Sequence, residues 1–157
     1  MKPSENCYEL IKSWEGCKLK AYKDPVGIWT IGFGTIIYPD GAKVKQGDSI
    51  TIDRADFLLK WQVLEKSTTV DRLVNIYDTQ VHIADRVNQN QFDSLVSFAY
   101  NVGTGALKKS TLLKKLLVNP NDPSIEQEFL KWNKAGGKEL AGLTKRRQAE
   151  ADLYFKQ

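Results

Sequence analysis

The chain has 157 residues, of which 41% are hydrophobic and 27% charged, with a formal net charge of +4 and a pI near 9.0. This length predicts a single domain, and the absence of any run of 18 apolar residues means that no membrane-spanning helix is expected. The positive charge favours anionic partners but does not choose between nucleic acid, an acidic wall polymer and a membrane surface.

The first predicted element is a helix over Ser4–Trp14. Its apolar residues recur at helical spacing on one face: Cys7, Leu10, Ile11 and Trp14. Ser4 is a suitable N-cap, and Gly16 is a suitable stop. Glu15 then falls at the helix C-terminus, whose partial negative charge disfavours a carboxylate and so suits a proton donor.

Two cysteines, Cys7 and Cys17, lie at either end of this helix. Ten helical residues separate them by roughly 15 Å, whereas a disulfide needs Cα atoms within about 7 Å. Both are therefore predicted to be free thiols. With His82 as the one histidine, no metal cluster is expected, and no cofactor is predicted.

Residues 18–52 predict a small antiparallel sheet of two or three short strands, because β-branched and aromatic residues alternate with glycines and turn signals. The first turn is Asp24-Pro25-Val26-Gly27. Gly32-Phe33-Gly34 lacks the longer signature of a phosphate loop, and its glycines favour close approach of the backbone to a sugar or to another strand.

Glu15, Asp24 and Thr30 form the most informative pattern in this region, with spacing Glu-x8-Asp-x5-Thr. Two carboxyls and a hydroxyl can build a glycosidase: one carboxyl protonates the glycosidic oxygen, and the other, helped by the hydroxyl, orients a water. Asp24 before Pro25 is also an ordinary turn residue, and the two roles are compatible.

The rest of the chain is predicted to be helical. A connecting helix runs from Thr51 to about residue 77, and 78–88 is an irregular segment in which His82 is a surface or loop residue. Further helices are expected around Phe92–Ala99, over Leu107–Val118, from a capping box at Ser124-Ile125-Glu126-Gln127 to about Lys134, and over Leu143–Phe155.

Basic and aromatic side chains in these helices have ordinary structural interpretations. Lys108-Lys109, Lys114-Lys115 and Lys145-Arg146-Arg147 are interpreted mostly as solvated faces, with Arg146 and Glu150 spaced for an i,i+4 pair. Core packing is favoured over sugar stacking for each of Trp29, Trp61 and Trp132.

Three blocks resemble the phage-type lysozymes of glycoside hydrolase family 24, to which the T-even phage lysozyme belongs. They are the stretch containing Glu15, Asp24 and Thr30, the stretch Asn88–Gly103, and the stretch Gly142–Tyr154. The last two are similar to the central-helix and C-terminal motifs of the lambdoid branch. Together the blocks cover most of the chain in the family's order.

The resemblance implies an α+β, mainly helical, lysozyme-like two-lobed fold. A small antiparallel sheet in the N-terminal lobe and a helical C-terminal lobe would be joined by a long helix. Residues 1–157 would form one catalytic domain, with lobes 1–52 and 78–157 and the connecting helix 53–77.

The implied activity is that of an endolysin: hydrolysis of the β-1,4 bond between N-acetylmuramic acid and N-acetylglucosamine in peptidoglycan, with inversion. Glu15 would be the general acid, Asp24 would activate the water, and Thr30 would hold it. Inverting sites place their carboxyls about 6.5–9.5 Å apart. Rough alignment with the family's cleft adds Ile36, Tyr100, Asn101 and Ser110 as substrate-binding residues, with structural roles equally open for each.

Departures from the family limit what carries over. Thr35 stands where the T-even enzyme has a histidine, so a role of that histidine is not inherited. Many lambdoid relatives have an N-terminal signal-anchor. No signal peptide or signal-anchor is seen here, which predicts a host-cytoplasmic protein that reaches the wall through a holin-type release partner. A monomer is expected, with no nucleic-acid partner and no stable membrane insertion.

Three other functions stay open at this stage. A lytic transglycosylase would need an acid but no water-activating partner, so Asp24 and Thr30 argue against it. A catalytically silent peptidoglycan-binding protein is disfavoured by the intact set of three residues. A nucleic-acid binder has only the charge in its favour, with no recognition motif.

Overall fold

The computed structural model describes residues 1–75 and 87–156. In chain order, the elements within these ranges are α1 (Glu5–Trp14), β1 (Lys18–Lys23), β2 (Trp29–Gly32), α2 (Ile52–Val74), α3 (Gln89–Val102), α4 (Thr104–Lys109), α5 (Thr111–Val118), α6 (Ile125–Leu130), β3 (Lys134–Ala135), β4 (Lys138–Glu139) and α7 (Ala141–Tyr154). No helix in the described ranges is long and apolar enough to cross a bilayer.

The chain divides into two compact units. The first, Tyr8–Glu65, is called here the hairpin unit. The second, Met1–Cys7 with Lys66–Gln157, is called the helical unit. The predicted mainly helical fold with a small antiparallel sheet is confirmed, whereas the predicted single catalytic domain stays a prediction.

The hairpin unit has its core between α1, the sheet and the first half of α2. The antiparallel pair β1–β2 places Tyr22 opposite Thr30 and Lys23 opposite Trp29. Isolated bridges link Lys20 with Ser49, Ile31 with Thr35, and Ile37 with Lys43. The buried apolar residues are Ile11, Ile31, Phe33, Val44, Ala55, Leu58, Leu59 and Val63.

The helical unit is built around α3, which is buried on every side from Gln91 to Ala99. α7 and α4 pack against α3, and α6 packs against α7. An aromatic cluster fills the space between them, with the Phe98 ring centroid 5.5 Å from both the Phe129 and the Trp132 centroids. A helix that is buried on every side needs either apolar side chains or polar side chains whose hydrogen bonds are made within the protein.

Both cysteines are free thiols, as predicted: Cys7 is buried in the helical unit and Cys17 is exposed in the hairpin unit. Burial, together with the charges of Asp93 and Glu150, raises the pKa of the Cys7 thiol. Its Sγ lies 3.6 Å from the carbonyl oxygen of Asp93. Cys7 is therefore an inert packing residue.

One predicted helix and one predicted capping box differ from the structure. The single helix expected over Leu107–Val118 is two helices, because Ser110 adopts an extended conformation and caps α5. The capping box predicted at Ser124 is wrong, since Ser124 makes no side-chain cap and instead donates to Asp122 Oδ1 from its N–H and hydroxyl. A capping box occurs at Asn88 with Gln91, at the start of α3.

A short β-hairpin with the two-residue turn Gly136-Gly137 lies between α6 and α7. β3 and β4 pair antiparallel, and both glycines have positive φ (57° and 78°), as a tight hairpin turn requires. α6 accordingly ends at Leu130 rather than near Lys134. The end predicted for the connecting helix, near residue 77, and most of the segment 78–88 with His82 lie outside the described residues.

A buried ionic network corrects the expectation that Arg146 and Arg147 lie on a solvated face. Both guanidiniums contact the fully buried Glu150: Arg146 Nε lies 3.3 Å from Oε1, and Arg147 Nε lies 2.8 Å from Oε2. The Ser97 hydroxyl donates to Oε1 at 2.8 Å. Burial raises the pKa of Glu150, while Arg147 and Arg146 act in the opposite direction. This network ties α7 to α3.

Glu150→Gln is expected to lower the free energy of unfolding by about 3–5 kcal/mol, because two buried guanidiniums lose their counter-charge. Urea unfolding followed by circular dichroism measures the loss. Asp152→Asn, an exposed carboxyl on the same helix, is the matched control. Equal stability of the two variants would show that the network contributes nothing.

Glu128 on α6 gives a second buried carboxylate with two cations. Lys131 and Lys115 each place Nζ 2.9 Å from Glu128 Oε1. Burial alone would raise the pKa of Glu128, but the hydrogen bonds and charges of Lys131 and Lys115 outweigh burial and hold the pKa below its ordinary value. The folded state therefore favours the ionised form of this carboxyl.

Glu128→Gln is expected to cost about 1 kcal/mol of stability at neutral pH. Because the folded-state pKa is lowered, the carboxylate's contribution is complete above its ordinary pKa and disappears as the pH falls through the folded-state value. The stability curves of the variant and the parent should therefore converge in acid. Curves that stay parallel down to acidic pH, or match those of the exposed-site variant Glu139→Gln, would contradict this assignment.

Charge is distributed unevenly between the two units. The hairpin unit carries eight basic and eight acidic residues, whereas the helical unit carries fifteen basic and eleven acidic ones. The whole net charge of +4 therefore belongs to the helical unit. The hairpin unit, with no net charge, contains all three predicted catalytic residues.

Candidate functional site

The candidate site is centred on the turn between β1 and β2, whose sequence determines its conformation. Asp24 begins the turn, Pro25 supplies the fixed φ of the second position, and Gly27 supplies a positive φ of 86°. The Gly27 N–H donates to the Asp24 carbonyl at 2.9 Å, and the Asp24 N–H donates to the Ile28 carbonyl at 2.9 Å. This is a hairpin with a three-residue loop.

The two carboxyl oxygens of Asp24 have different surroundings. Oδ1 accepts hydrogen bonds from the N–H of Val26 at 3.0 Å and from the N–H of Ile28 at 2.8 Å. Across residues 1–75 and 87–156, no hydrogen-bond donor reaches Oδ2. One oxygen thus fixes the orientation of the carboxylate, and the other is left to accept from a ligand.

Glu15 directly follows the last residue of α1. Its N–H donates to the Ile11 carbonyl at 3.0 Å, which holds it on the helix C-terminus, and its side chain is half-buried. Buried Ile11 anchors the helix below it, and an ion pair of 3.0 Å joins Lys12 to Asp56 on α2. Glu15 therefore lies just beyond the C-terminus of α1, the position expected from the sequence.

Thr30 lies in the middle of β2 and is only 4% exposed. Its hydroxyl donates to the Ile28 carbonyl at 3.1 Å. Because the single proton of Oγ1 is directed to that carbonyl, the lone pairs of Oγ1 remain available to accept a hydrogen bond. A water bound to Thr30 would therefore be the donor.

Tyr22 joins this group, although the sequence analysis did not single it out. It is the cross-strand partner of Thr30 and is half-buried. Burial raises the pKa of the Tyr22 hydroxyl, and the negative charges of Glu15 and Asp24 raise it further. Tyr22 therefore lies within electrostatic range of both candidate carboxyls. Only the hairpin register, which the sequence does not give, identifies it as the partner of Thr30.

Gly32, the last residue of β2, marks a close approach of the backbone to α2. Gly32 has φ 63°, and a Cβ placed there would lie 3.4 Å from Ile50 Cδ1 and 3.5 Å from Ala55 Cβ. The tight turn from Ile31 to Thr35 is closed by two backbone hydrogen bonds of 2.9 Å. The Thr35 hydroxyl donates to Gln62 Oε1 at 3.2 Å, so this side chain ties the turn to α2.

The four predicted substrate-binding residues are divided between the units. Ile36, in the hairpin unit, is 40% exposed. In the helical unit, Tyr100 is half-buried with Lys66 Nζ 5.7 Å from its ring centroid, and exposed Asn101 accepts from Arg147 Nη2 at 3.0 Å. Ser110 is buried and caps α5 by accepting from the Leu113 N–H at 3.0 Å. Substrate binding by these four residues stays a prediction.

Comparison with known proteins places this geometry in a family. The sequence profile described as phage lysozyme matches residues 12–150. The chain belongs to the phage lysozyme family. This match confirms the family predicted from the sequence, and the chain is therefore a lysozyme-type hydrolase.

Individual phage lysozymes agree over the whole chain. The endolysin of Acyrthosiphon pisum secondary endosymbiont phage 1 is 40% identical over 98% of this chain and 98% of its own length. The crystal structure of a P22 lysozyme point mutant is 34% identical with a TM-score of 0.80, and the alignment covers 99% of both chains. The endolysin of Bacillus phage B103 is 44% identical over 99% of this chain, which spans 54% of that relative's length.

Proposed function

We propose that this chain acts as an endolysin that hydrolyses the β-1,4 bond between N-acetylmuramic acid and N-acetylglucosamine in peptidoglycan, with inversion. The observation that carries the proposal is the pair of hydrogen-bond acceptors formed by Asp24 and Thr30. Relatives that span the whole chain are named endolysins, which supports the same conclusion.

The reaction needs a water whose lone pair faces the sugar. Asp24 Oδ2 and Thr30 Oγ1 are both acceptors, so a water between them would donate both of its hydrogens and direct a lone pair away from them. As this water attacks the anomeric carbon of N-acetylmuramic acid, Asp24 takes its proton. Both hydrogen bonds of Oδ1 hold the carboxylate still during that step.

The leaving group needs a proton from the other side of the bond. Glu15 is the donor: it transfers its proton to the glycosidic oxygen, which leaves as the 4-hydroxyl of N-acetylglucosamine. Since the water attacks opposite to the departing oxygen, the new hydroxyl has the inverted configuration. We place the action of the enzyme at the cell wall of the host, which it reaches from the cytoplasm as a monomer through a holin-type release partner.

Mass spectrometry of the soluble products from purified peptidoglycan tests the proposed bond and reaction. Muropeptides that end in reducing N-acetylmuramic acid are expected, and NMR of the first-formed anomer should show inversion. A 1,6-anhydro end would identify a lytic transglycosylase and leave Asp24 without its water. Absence of products, with protein that still sediments with the wall, would identify a binding protein.

A further inference from the structure

Tyr22 has two structural relations to the candidate site that the proposed reaction does not use. The register of the hairpin sets it directly opposite Thr30. Directly opposed residues of an antiparallel pair project to the same face of the sheet, so Tyr22 and Thr30 share one face. Asp24 comes two residues after Tyr22, just beyond the end of β1, where it opens the turn and its Oδ1 accepts from the N–H groups of Val26 and Ile28.

The ring of Tyr22 is held by a cation. Lys18 Nζ lies 4.1 Å from the ring centroid, the shortest cation–ring distance among the described residues. Such a contact restricts the orientation of a half-buried side chain. The charged groups that act on Tyr22 are thus Lys18, over the ring, and the Glu15 and Asp24 carboxyls, whose charges raise the pKa of the hydroxyl.

The hydroxyl of Tyr22 is a donor for which residues 1–75 and 87–156 offer no acceptor. No group in the described ranges hydrogen-bonds to it, whereas Tyr38 donates to Asp48 Oδ2 at 3.0 Å and Tyr154 donates to the Pro120 carbonyl at 2.8 Å. A half-buried phenol normally finds a partner. Burial and the two neighbouring carboxyls keep the proton on this oxygen, so it remains a donor at neutral pH.

We propose that Tyr22 is a further substrate-contacting residue, whose hydroxyl donates a hydrogen bond to an oxygen of the sugar that occupies the Glu15–Asp24–Thr30 site. A sugar offers hydroxyl, ring and acetamido oxygens as acceptors, and Tyr22 supplies a donor on the face where Thr30 supplies an acceptor, next to the turn that carries Asp24. The inference rests on the proposed function, since it takes the glycan as the ligand of this site.

The test compares Tyr22→Phe with the parent protein on soluble, uncross-linked glycan strands. Phenylalanine keeps the ring and its contact with Lys18 and removes only the donor. The loss of one hydrogen bond to a neutral acceptor should lower kcat/KM by roughly three- to ten-fold, with an unchanged Tm. Tyr38→Phe, which loses a hydrogen bond to Asp48 in the same unit, should keep the parent's kcat/KM.

Binding gives a readout that turnover does not confound. In the Glu15→Gln background, where the strands should stay uncut, addition of Tyr22→Phe should weaken glycan binding by roughly three-fold or more. Parent-like kcat/KM for Tyr22→Phe, together with unchanged binding in the double variant, would overturn the inference. If the parent itself releases no muropeptides, the proposed function has failed instead, so the two failures are distinguishable.

Discussion

Glu15→Gln is expected to lower the rate of peptidoglycan hydrolysis by about a hundred- to ten-thousand-fold, the range typical of a lost general acid. The amide has nearly the shape of the carboxyl but carries no transferable proton. The backbone N–H of residue 15 still donates to the Ile11 carbonyl and closes the last turn of α1. The variant should therefore fold, and it should sediment with purified wall as the parent does.

The measurement is the release of reducing ends from purified peptidoglycan, with Tm as the check on folding. Glu9→Gln is the matched control, because Glu9 is an exposed carboxyl on the same helix. It should keep the parent's rate. A Glu15→Gln variant of near-normal rate would show that the proton comes from another group.

Asp24→Asn should lower the hydrolysis rate by roughly a hundred-fold or more, since an amide cannot take the proton of the attacking water. The change separates chemistry from structure, because asparagine keeps an oxygen that can accept from the N–H groups of Val26 and Ile28. The turn should be preserved, so the Tm should change little. Asp24→Ala would lose both the charge and the two hydrogen bonds.

Asp40 offers the same substitution in a comparable turn of the same unit. It lies between Pro39 and Gly41, which has φ 85°, and its Oδ1 accepts from the Ala42 N–H at 3.0 Å. Asp40→Asn should leave the rate unchanged. If Asp24→Asn were as active as Asp40→Asn, Asp24 would be a turn residue only, and the transglycosylase mechanism would be favoured.

The placement of Glu15, Asp24 and Thr30 in one unit was predictable from the sequence because they are close together along the chain. The helix stop at Gly16, the turn residues Asp24, Pro25 and Gly27, and the β-branched strand residue Thr30 each have strong local conformational preferences. Local preferences therefore bring the three candidate residues into one unit. Tyr22 was overlooked because the register of a hairpin has to be known before cross-strand partners can be named.

The Arg146–Glu150 pair was predicted from its spacing and is confirmed, but the burial of the pair and the participation of Arg147 were not predictable by the same reasoning. Charged residues at i,i+3 and i,i+4 normally indicate a solvated helix face. Here the α7 side chains meet α3, where Ser97 donates to the carboxylate and the Phe98 ring lies 5.0 Å from Arg147 Cζ. Such a contact is tertiary, and the periodicity of α7 alone carries no sign of it.

The division of charge between the two units separates affinity from turnover in a way that matters for protein engineering. We expect the helical unit to attract an anionic wall polymer, and at physiological ionic strength salt screens such an attraction beyond about 8 Å. The proposed proton transfers take place in a unit with no net charge. Exposed lysines of the helical unit such as Lys108 and Lys114 are therefore the positions at which the salt dependence of a lytic reagent can be changed without altering the unit that holds the proposed catalytic carboxyls.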